Sequence, residues 1–342
     1  MSSGSVTVQP PSGNPGAPLL EVRDLEVEFR MRHGTVKASN KVSYSVDRGE
    51  TLAIVGESGS GKTVSAQAIM GIIDSPPGFV TGGQILYRGM DMLRMAERER
   101  RDIRGAKIAM IFQDALTALN PVFTVGWQIG EMFRQHREAS KAEATRKAIE
   151  LMERVRIPSA RERVHSYPHE FSGGMRQRVM IAMSLALDPE VLIADEPTTA
   201  LDVTVQAQVM ELLADLQRET GMGLILITHD VGVVAEVADR VSVMYAGRIV
   251  ESADIGELFS RPGHPYTRGL MDSLARPDLK GGRLSPIVGS PPDLLAIPSG
   301  CAFHPRCRFA KEVCSVDDPA LRPIGPGRTS ACHFSEEVLS VV

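Results

Sequence analysis

The first three hundred residues contain no cysteine, which excludes a disulfide framework over that stretch. No apolar run approaches the length needed to span a bilayer, so any contact with a membrane has to go through a partner. The chain also lacks an excess of positive charge: 38 basic residues face 42 acidic ones, for a net charge of −4. That balance argues against a general nucleic-acid binder and leaves room only for a local basic patch. Residues 1–18 are rich in Ser, Gly and Pro but have no apolar stretch. They are expected to form a disordered tail rather than a signal peptide.

What is present is enough for a large core. The chain has 342 residues, 43% of them hydrophobic, and two domains are expected. Apolar strand candidates alternate with helical segments. The strands are expected at Leu20–Phe29, Val42–Val46, Thr51–Val55, Gly83–Tyr87, Lys107–Gln113, Val191–Ala194, Leu224–Ile227 and Arg240–Tyr245. Helical patterns fall at Thr63–Ile73, Ala96–Ile103, Val125–Val155, Ser172–Leu187 and Val203–Thr220. This order predicts an α/β fold with helices on both faces of a sheet. After about Ser260, Pro and Gly become frequent and all four cysteines appear, so a second module is expected there.

The stretch Gly56-Glu57-Ser58-Gly59-Ser60-Gly61-Lys62-Thr63 fits the phosphate-binding P-loop, between an apolar strand and a helix. Glycines let successive N–H groups and the helix N-terminus face phosphate oxygens. Lys62 is placed to reach the β- and γ-phosphates and the Thr63 hydroxyl to ligate Mg²⁺, while Gly56, Ser58, Gly59, Ser60, Gly61 and Val64 complete the nucleotide cradle. A protein that uses ATP or GTP belongs in the cytosol.

Val191-Leu192-Ile193-Ala194-Asp195-Glu196 is an apolar strand ending in two acids. Asp195 suits Mg²⁺ and Glu196 suits polarisation of the attacking water. In Phe171-Ser172-Gly173-Gly174-Met175-Arg176-Gln177-Arg178, Ser172 caps a helix whose first turn carries no bulky side chain. That is a second anion site, without a lysine. One P-loop and two phosphate devices per chain point to a head-to-tail pair.

With these motifs in this order, residues 19–260 resemble the ATP-binding subunit of ABC transporters. The resemblance implies a P-loop NTPase ABC cassette: a RecA-like core, an antiparallel β subdomain, and a helical subdomain at about 115–186. It assigns Walker A to Gly56–Thr63, the Q-loop to Gln113, the signature to Phe171–Arg178 and Walker B to Val191–Glu196. The D-loop falls on Ala200-Leu201-Asp202 and the switch histidine on His229. Phe171 and Met175 stand where the signature usually has Leu and Gln. The implied catalytic residues are Glu196, His229, Lys62 and Gln113, with Thr63, Gln113 and Asp195 around Mg²⁺. Phe29 would stack on adenine, and Asp202 would organise the dimer interface. Phe123, Val125, Trp127 and Met132 are expected either to line a groove for a permease helix or to fill the helical subdomain's own core.

The cysteines follow the spacing C-x₅-C-x₆-C-x₁₇-C at Cys301, Cys307, Cys314 and Cys332. Two disulfides, a zinc site and a [4Fe–4S] cluster all use four such residues. A reducing cytosol argues against the first, and the lack of a C-x₂₋₄-C knuckle argues against the second. Arg306, Arg308, Lys311 and Arg328 are expected to offset the charge of either metal site, and His333 is a substitute ligand. No cysteine belongs to the P-loop, so ATP binding is expected to be independent of them. Residues 261–342, with Gly263-His264-Pro265-Tyr266-Thr267 and the block Cys301–Cys307, resemble the C-terminal extension of oligopeptide and dipeptide transporter ATPases. That resemblance favours a [4Fe–4S] cluster, with zinc as the alternative.

The expected function is ATP hydrolysis that powers import of di- or oligopeptides. The expected partners are two transmembrane permease subunits, a second ATPase subunit (identical or paralogous) and, indirectly, an extracytoplasmic substrate-binding protein. The chain would sit at the cytoplasmic face of the cell membrane. Nickel, glutathione or antimicrobial peptides are alternative cargoes. A soluble ABC ATPase of DNA repair or translation would call for tandem cassettes, a coiled-coil insertion or a basic groove. A dead regulatory cassette would not keep Glu196 and His229.

Overall fold

The computed structural model describes residues 17–114, 118–199, 201–273 and 287–340. The expected tail lies outside the described residues except for residues 17 and 18, and so does Ala200. Along the chain come β1 (Leu20–Met31), β2 (Gly34–Val46), β3 (Thr51–Val55), β4 (Gly78–Tyr87), β5 (Met90–Asp91) and β6 (Ile108–Ile111). They are followed by β7 (Val191–Asp195), β8 (Gly223–Thr228), β9 (Arg240–Tyr245), β10 (Arg248–Asp254), β11 (Arg322–Gly325) and β12 (Arg328–Ser330).

Two sheets result. One is antiparallel, in the order β2-β1-β4-β5. The other runs β11-β12-β10-β9-β3-β8-β7-β6, with β9, β3, β8, β7 and β6 parallel. Every residue of β3, β7 and β8 is buried, as near-continuous apolar strands covered on both faces should be. Alternate residues serve different cores. Leu52, Ile54, Ile193, Ile225 and Ile227 join the cluster shared with β1, β2 and β4. Leu192, Ala194, Leu224 and Leu226 join the helical side with Ile129, Phe133 and Met152. Each of these large side chains contributes roughly 1.5–3 kcal/mol by leaving water.

Local chemistry sets the element ends. The helix after the P-loop spans Lys62–Met70 and stops at Gly71, whose left-handed φ of 58° turns its N–H back to Ala68. It is therefore shorter than the hydrophobic pattern implies. The helical stretch expected at Val125–Val155 is two helices, Val125–Arg137 and Lys141–Arg154. Glu138 turns left-handed at φ 50°, and the Ser140 side chain caps the second helix by accepting from Glu143 N–H.

The C-terminal region is joined to the cassette's sheet. In β12, Thr329 and Ser330 pair with Ser252 and Glu251 of β10. β10, β11 and β12 are absent from the sequence expectation, because their polar and Pro/Gly residues carry little alternation.

Candidate functional site

The P-loop connects β3 to the helix Lys62–Met70. Gly61 has a φ of 99°, and a Cβ there would lie 2.0 Å from the Ala38 carbonyl oxygen, so only glycine fits. Lys62 is 5% exposed. Its ammonium donates to the Gly56 carbonyl at 2.8 Å and the Glu57 carbonyl at 3.0 Å. Burial pushes its pKa down, against the pull of Glu196, Asp195 and Glu57. The Ser60 hydroxyl is buried without a hydrogen-bond partner, an orphan that suits a phosphate oxygen.

Across the sheet, β7 ends in the two acids. The Thr63 hydroxyl donates to Asp195 at 3.1 Å, which brings together the two side chains expected at Mg²⁺. Burial, chiefly, raises the Asp195 carboxyl to about 6. Glu196 has a left-handed φ of 45°, which separates its direction from that of Asp195. Three groups converge on its carboxylate. Gln113 donates at 3.0 Å, the Thr199 hydroxyl at 2.9 Å, and His229 Nδ1 lies at 3.3 Å. Glu196 is thus fixed on a face where His229 remains 63% exposed. Thr199 is absent from the sequence expectation; its only signal is its place just after the two acids.

The signature helix is Gly173–Leu185, and the Ser172 hydroxyl accepts from Met175 N–H at 3.4 Å. Gly174 packs against the helix Val203–Thr220. A Cβ there would fall 2.4 Å from Val205, which explains the absence of a side chain. Asp202 caps that second helix by accepting from Val205 N–H at 3.0 Å. Ser172 and Gly173 are exposed, open to a ligand from outside the chain.

Phe29 does not line the cavity beside the P-loop. Its register partner across the sheet is Gly78, and it packs against the core shared with Ile73. The cavity, of about 330 Å³, is lined instead by Met31, Val36, Glu57–Ser60, Tyr245, Ala246 and residues 291–295. Phe29 is only partly buried at its place in β1. Val64 is partly buried against the same core and supports the loop from behind.

In the helical subdomain Val125 is fully buried and belongs to the core, and Met132 packs against it. Phe123 is exposed and stacks on Trp127 at a centroid distance of 4.0 Å. Val122 and Phe112 are also exposed.

The motif Gly263–Thr267 forms a wedge between sheet and P-loop. Buried Glu251 of β10 accepts from Gly263 N–H at 2.6 Å and His264 N–H at 2.9 Å. His264 Nδ1 accepts from Tyr266 N–H at 3.1 Å and caps the helix Pro265–Asp272. Burial lowers the His264 imidazole to about 3. The Tyr266 hydroxyl accepts from Glu57 N–H at 2.9 Å, inside the P-loop.

Cys301, Cys307, Cys314 and Cys332 line one small pocket, together with His264, His304 and His333. All four are free thiols. Burial, with repulsion from the other thiols, raises Cys301 and raises Cys307 and Cys332 to about 11. Among the described residues no group of three or more His, Cys, Asp or Glu side chains is arranged to hold a metal ion. The expected metal-binding extension, with [4Fe–4S] or zinc, is thus not supported as a preformed site.

The four basic residues expected around the cysteines each pair with a carboxylate. Arg306 pairs with Glu57, Arg308 with Asp272, Lys311 with Glu337, and Arg328 with Glu251 and Glu257. Each carboxylate offers a charged partner that neutral thiols do not. His333 bonds the Asp317 carbonyl. The cysteine block is also not remote from the P-loop: Arg306, beside Cys307, contacts Glu57.

The parallel sheet, the P-loop, the two acids and the capped signature helix define an ATP-binding cassette. The ABC transporter family model matches residues 39–199, and that for the oligopeptide/dipeptide transporter C-terminal region matches 250–314. Dipeptide transport ATP-binding protein DppD of Bacillus subtilis is 52% identical over 319 residues, 93% of this chain and 95% of that protein. Oligopeptide transport ATP-binding protein OppD of Salmonella typhimurium is 48% identical, covering 99% of this chain and 100% of that protein. A dimeric post-hydrolysis ATP-binding cassette solved with ADP and Pi superposes with a TM-score of 0.62 at 25% identity, over 69% of this chain and 98% of that one. The chain belongs to the ABC transporter ATP-binding family, in its oligopeptide/dipeptide branch.

Proposed function

We propose that this chain is the ATP-hydrolysing subunit that powers import of di- or oligopeptides through a membrane permease. The observation that carries the reading is Glu196, held by Gln113, Thr199 and His229 beside the Thr63–Asp195 pair. Thr63, Asp195 and Gln113 would hold Mg²⁺, which would supply charge neutralisation on the β- and γ-phosphates. Lys62, released from the Gly56 and Glu57 carbonyls, binds phosphate oxygens. Glu196 accepts a proton from water as its oxygen attacks the γ-phosphorus in line, and the bond to the ADP oxygen breaks. His229, at Glu196 and exposed, senses the γ-phosphate.

Exposed Ser172 and Gly173 complete the site of a second ATPase subunit, identical or paralogous. ATP closes the pair head to tail, with Asp202 at the interface, and hydrolysis reopens it. The apolar surface of Phe112, Val122, Phe123 and Trp127 receives a cytoplasmic helix of a permease subunit. Among the described residues no helix is long and apolar enough to cross a membrane, and the subunit is read as peripheral to the permease on the cytoplasmic face. A substrate-binding protein outside delivers the peptide. Isolation of the membrane complex tests this assembly: two permease subunits should co-purify and be lost with Phe123→Asp/Trp127→Asp. Undiminished recovery with that variant contradicts the docking surface.

The cysteine pocket is read as a [4Fe–4S] site, with zinc as the alternative. Convergence of four unpaired thiols on one pocket supports this. The thiols must draw together on loading, since no ion-holding group is preformed among the described residues. Protein prepared without oxygen should be brown, with roughly four iron and four sulfide per chain. Colourless protein holding zinc favours the alternative, and metal-free protein rejects both.

A further inference from the structure

Among the described residues, the C-terminal region's hydrogen bonds to the phosphate-binding loop go to Glu57. Three parts of Glu57 are engaged at once. Its N–H donates to Tyr266 Oη at 2.9 Å, its carbonyl accepts from Lys62 Nζ at 3.0 Å, and its carboxylate takes two parallel bonds from Arg306. Those two bonds are 2.7 and 3.0 Å long, although the residues lie 249 positions apart.

Arg306 is built in for this contact. Its side chain is 6% exposed, against 27% for Glu57. It also donates to the Val288 carbonyl at 3.1 Å, the Gly289 carbonyl at 3.2 Å and Tyr245 Oη at 3.3 Å. Its guanidinium lies 5.9 Å from the Tyr245 and Phe303 ring centroids. A buried fork of this kind gives up its hydration for a fixed carboxylate.

The electrostatics give the contact a task. Glu57 stands between Gly56 and Ser58, in the loop that takes the phosphates. An unpaired carboxylate there would repel a polyphosphate, in a site where charges are weakly screened. Arg306 cancels that charge without occupying the phosphate cradle, because it approaches from the side of the C-terminal region.

We propose that Arg306 is a positioning residue of the ATP site: it neutralises Glu57 and, with Tyr266, fixes the phosphate-binding loop, so that folding of the cysteine-bearing region strengthens ATP binding. The inference rests on the reading that Gly56–Thr63 takes the phosphates of ATP. A consequence is that disorder around Cys307, the next residue, withdraws Arg306 and weakens ATP binding from outside the cassette.

The test is calorimetric titration of the full chain with MgATP, with melting curves to establish folding. Arg306→Gln should weaken binding about tenfold, because one carboxylate is left uncompensated. Glu57→Gln/Arg306→Gln should recover to within about threefold of the wild type, since that carboxylate is gone. Arg306→Lys keeps the charge but loses the two-pronged contact, so its loss should be smaller than that of Arg306→Gln. In the assembled transporter, Arg306→Gln should raise KM for ATP with kcat unchanged.

Wild-type affinity in a folded Arg306→Gln protein overturns the proposal. So does a double variant as weak as Arg306→Gln, which would make Arg306 a mere anchor. If Arg306→Gln does not fold, the double variant decides: a tenfold loss there contradicts charge neutralisation. Lys62→Ala separates the two levels. If it binds MgATP as the wild type does, the P-loop reading itself fails. If it loses binding while Arg306→Gln does not, only the present inference fails.

Discussion

The ATP site and the cysteine pocket are both clusters of polar side chains, but they are organised in opposite ways. At the ATP site the functional groups hold one another: Thr63 holds Asp195, and Gln113, Thr199 and His229 hold Glu196. In the cysteine pocket the thiols share a cavity while the neighbouring cations are drawn off to carboxylates elsewhere. The first site is preorganised for chemistry before any ligand arrives. The second lacks such a network, and its most ordered feature is the connection from Arg306 and Tyr266 to the P-loop. The lesson is that the C-terminal region acts on the first site as well as enclosing the second.

The sharpest way to break this comparison is to remove the base that the network holds. Glu196→Gln should lower ATP turnover in the assembled complex about 10³-fold, the usual scale for a general base, while MgATP binding persists. Phosphate release kinetics and nucleotide titration check the two halves separately. Lys62→Ala should act at the binding step instead and weaken MgATP roughly 100-fold, because a charge-assisted contact to phosphate is lost. Equal losses of binding in the two variants would erase the division of labour between P-loop and β7.

A third test addresses the wedge between the regions. His264 titrates near 3 when folded, against an ordinary value of 6.5. Between those values the unfolded chain binds more protons, so stability is fully present above pH 6.5 and is lost as the pH falls toward 3. The loss is about 1.4 kcal/mol per pH unit. Burial raises the neighbouring Glu251, which works in the opposite direction. The contribution of His264 is therefore the difference between wild type and His264→Asn in denaturant unfolding at pH 7.5 and 5.5. An unchanged difference between those pH values would remove His264 from the acid response.

The smallest effect is expected from the open signature. In a mixed dimer, Ser172→Arg on one subunit should abolish about half of the bound nucleotide, namely that at the unmutated chain's P-loop. Loss at the mutated chain's own P-loop would contradict head-to-tail pairing. Mass spectrometry of a dimer with distinguishable P-loops reads this directly.

What was legible in the sequence follows the same contrast. The P-loop, Asp195, Glu196 and Ser172 sit in short contiguous motifs whose backbone conformation places them, so neighbouring residues nearly determine the geometry. The continuous burial of β3, β7 and β8 was legible for the same reason. Glu57 was passed over as a variable position in the P-loop, since its partners Arg306 and Tyr266 lie more than 200 residues away. The carboxylate partners of the basic residues near the cysteines were not legible, because proximity in sequence does not say which carboxylate will capture a cation.

The central claim is that hydrolysis at Glu196 drives peptide across a membrane. Its most direct test is uptake of a labelled oligopeptide by vesicles that hold this ATPase, its permease subunits and the binding protein, with MgATP on the ATPase side. The account predicts peptide accumulation and peptide-stimulated ATP turnover, both abolished by Glu196→Gln. ATP turnover without peptide accumulation, or accumulation that survives Glu196→Gln, would contradict it.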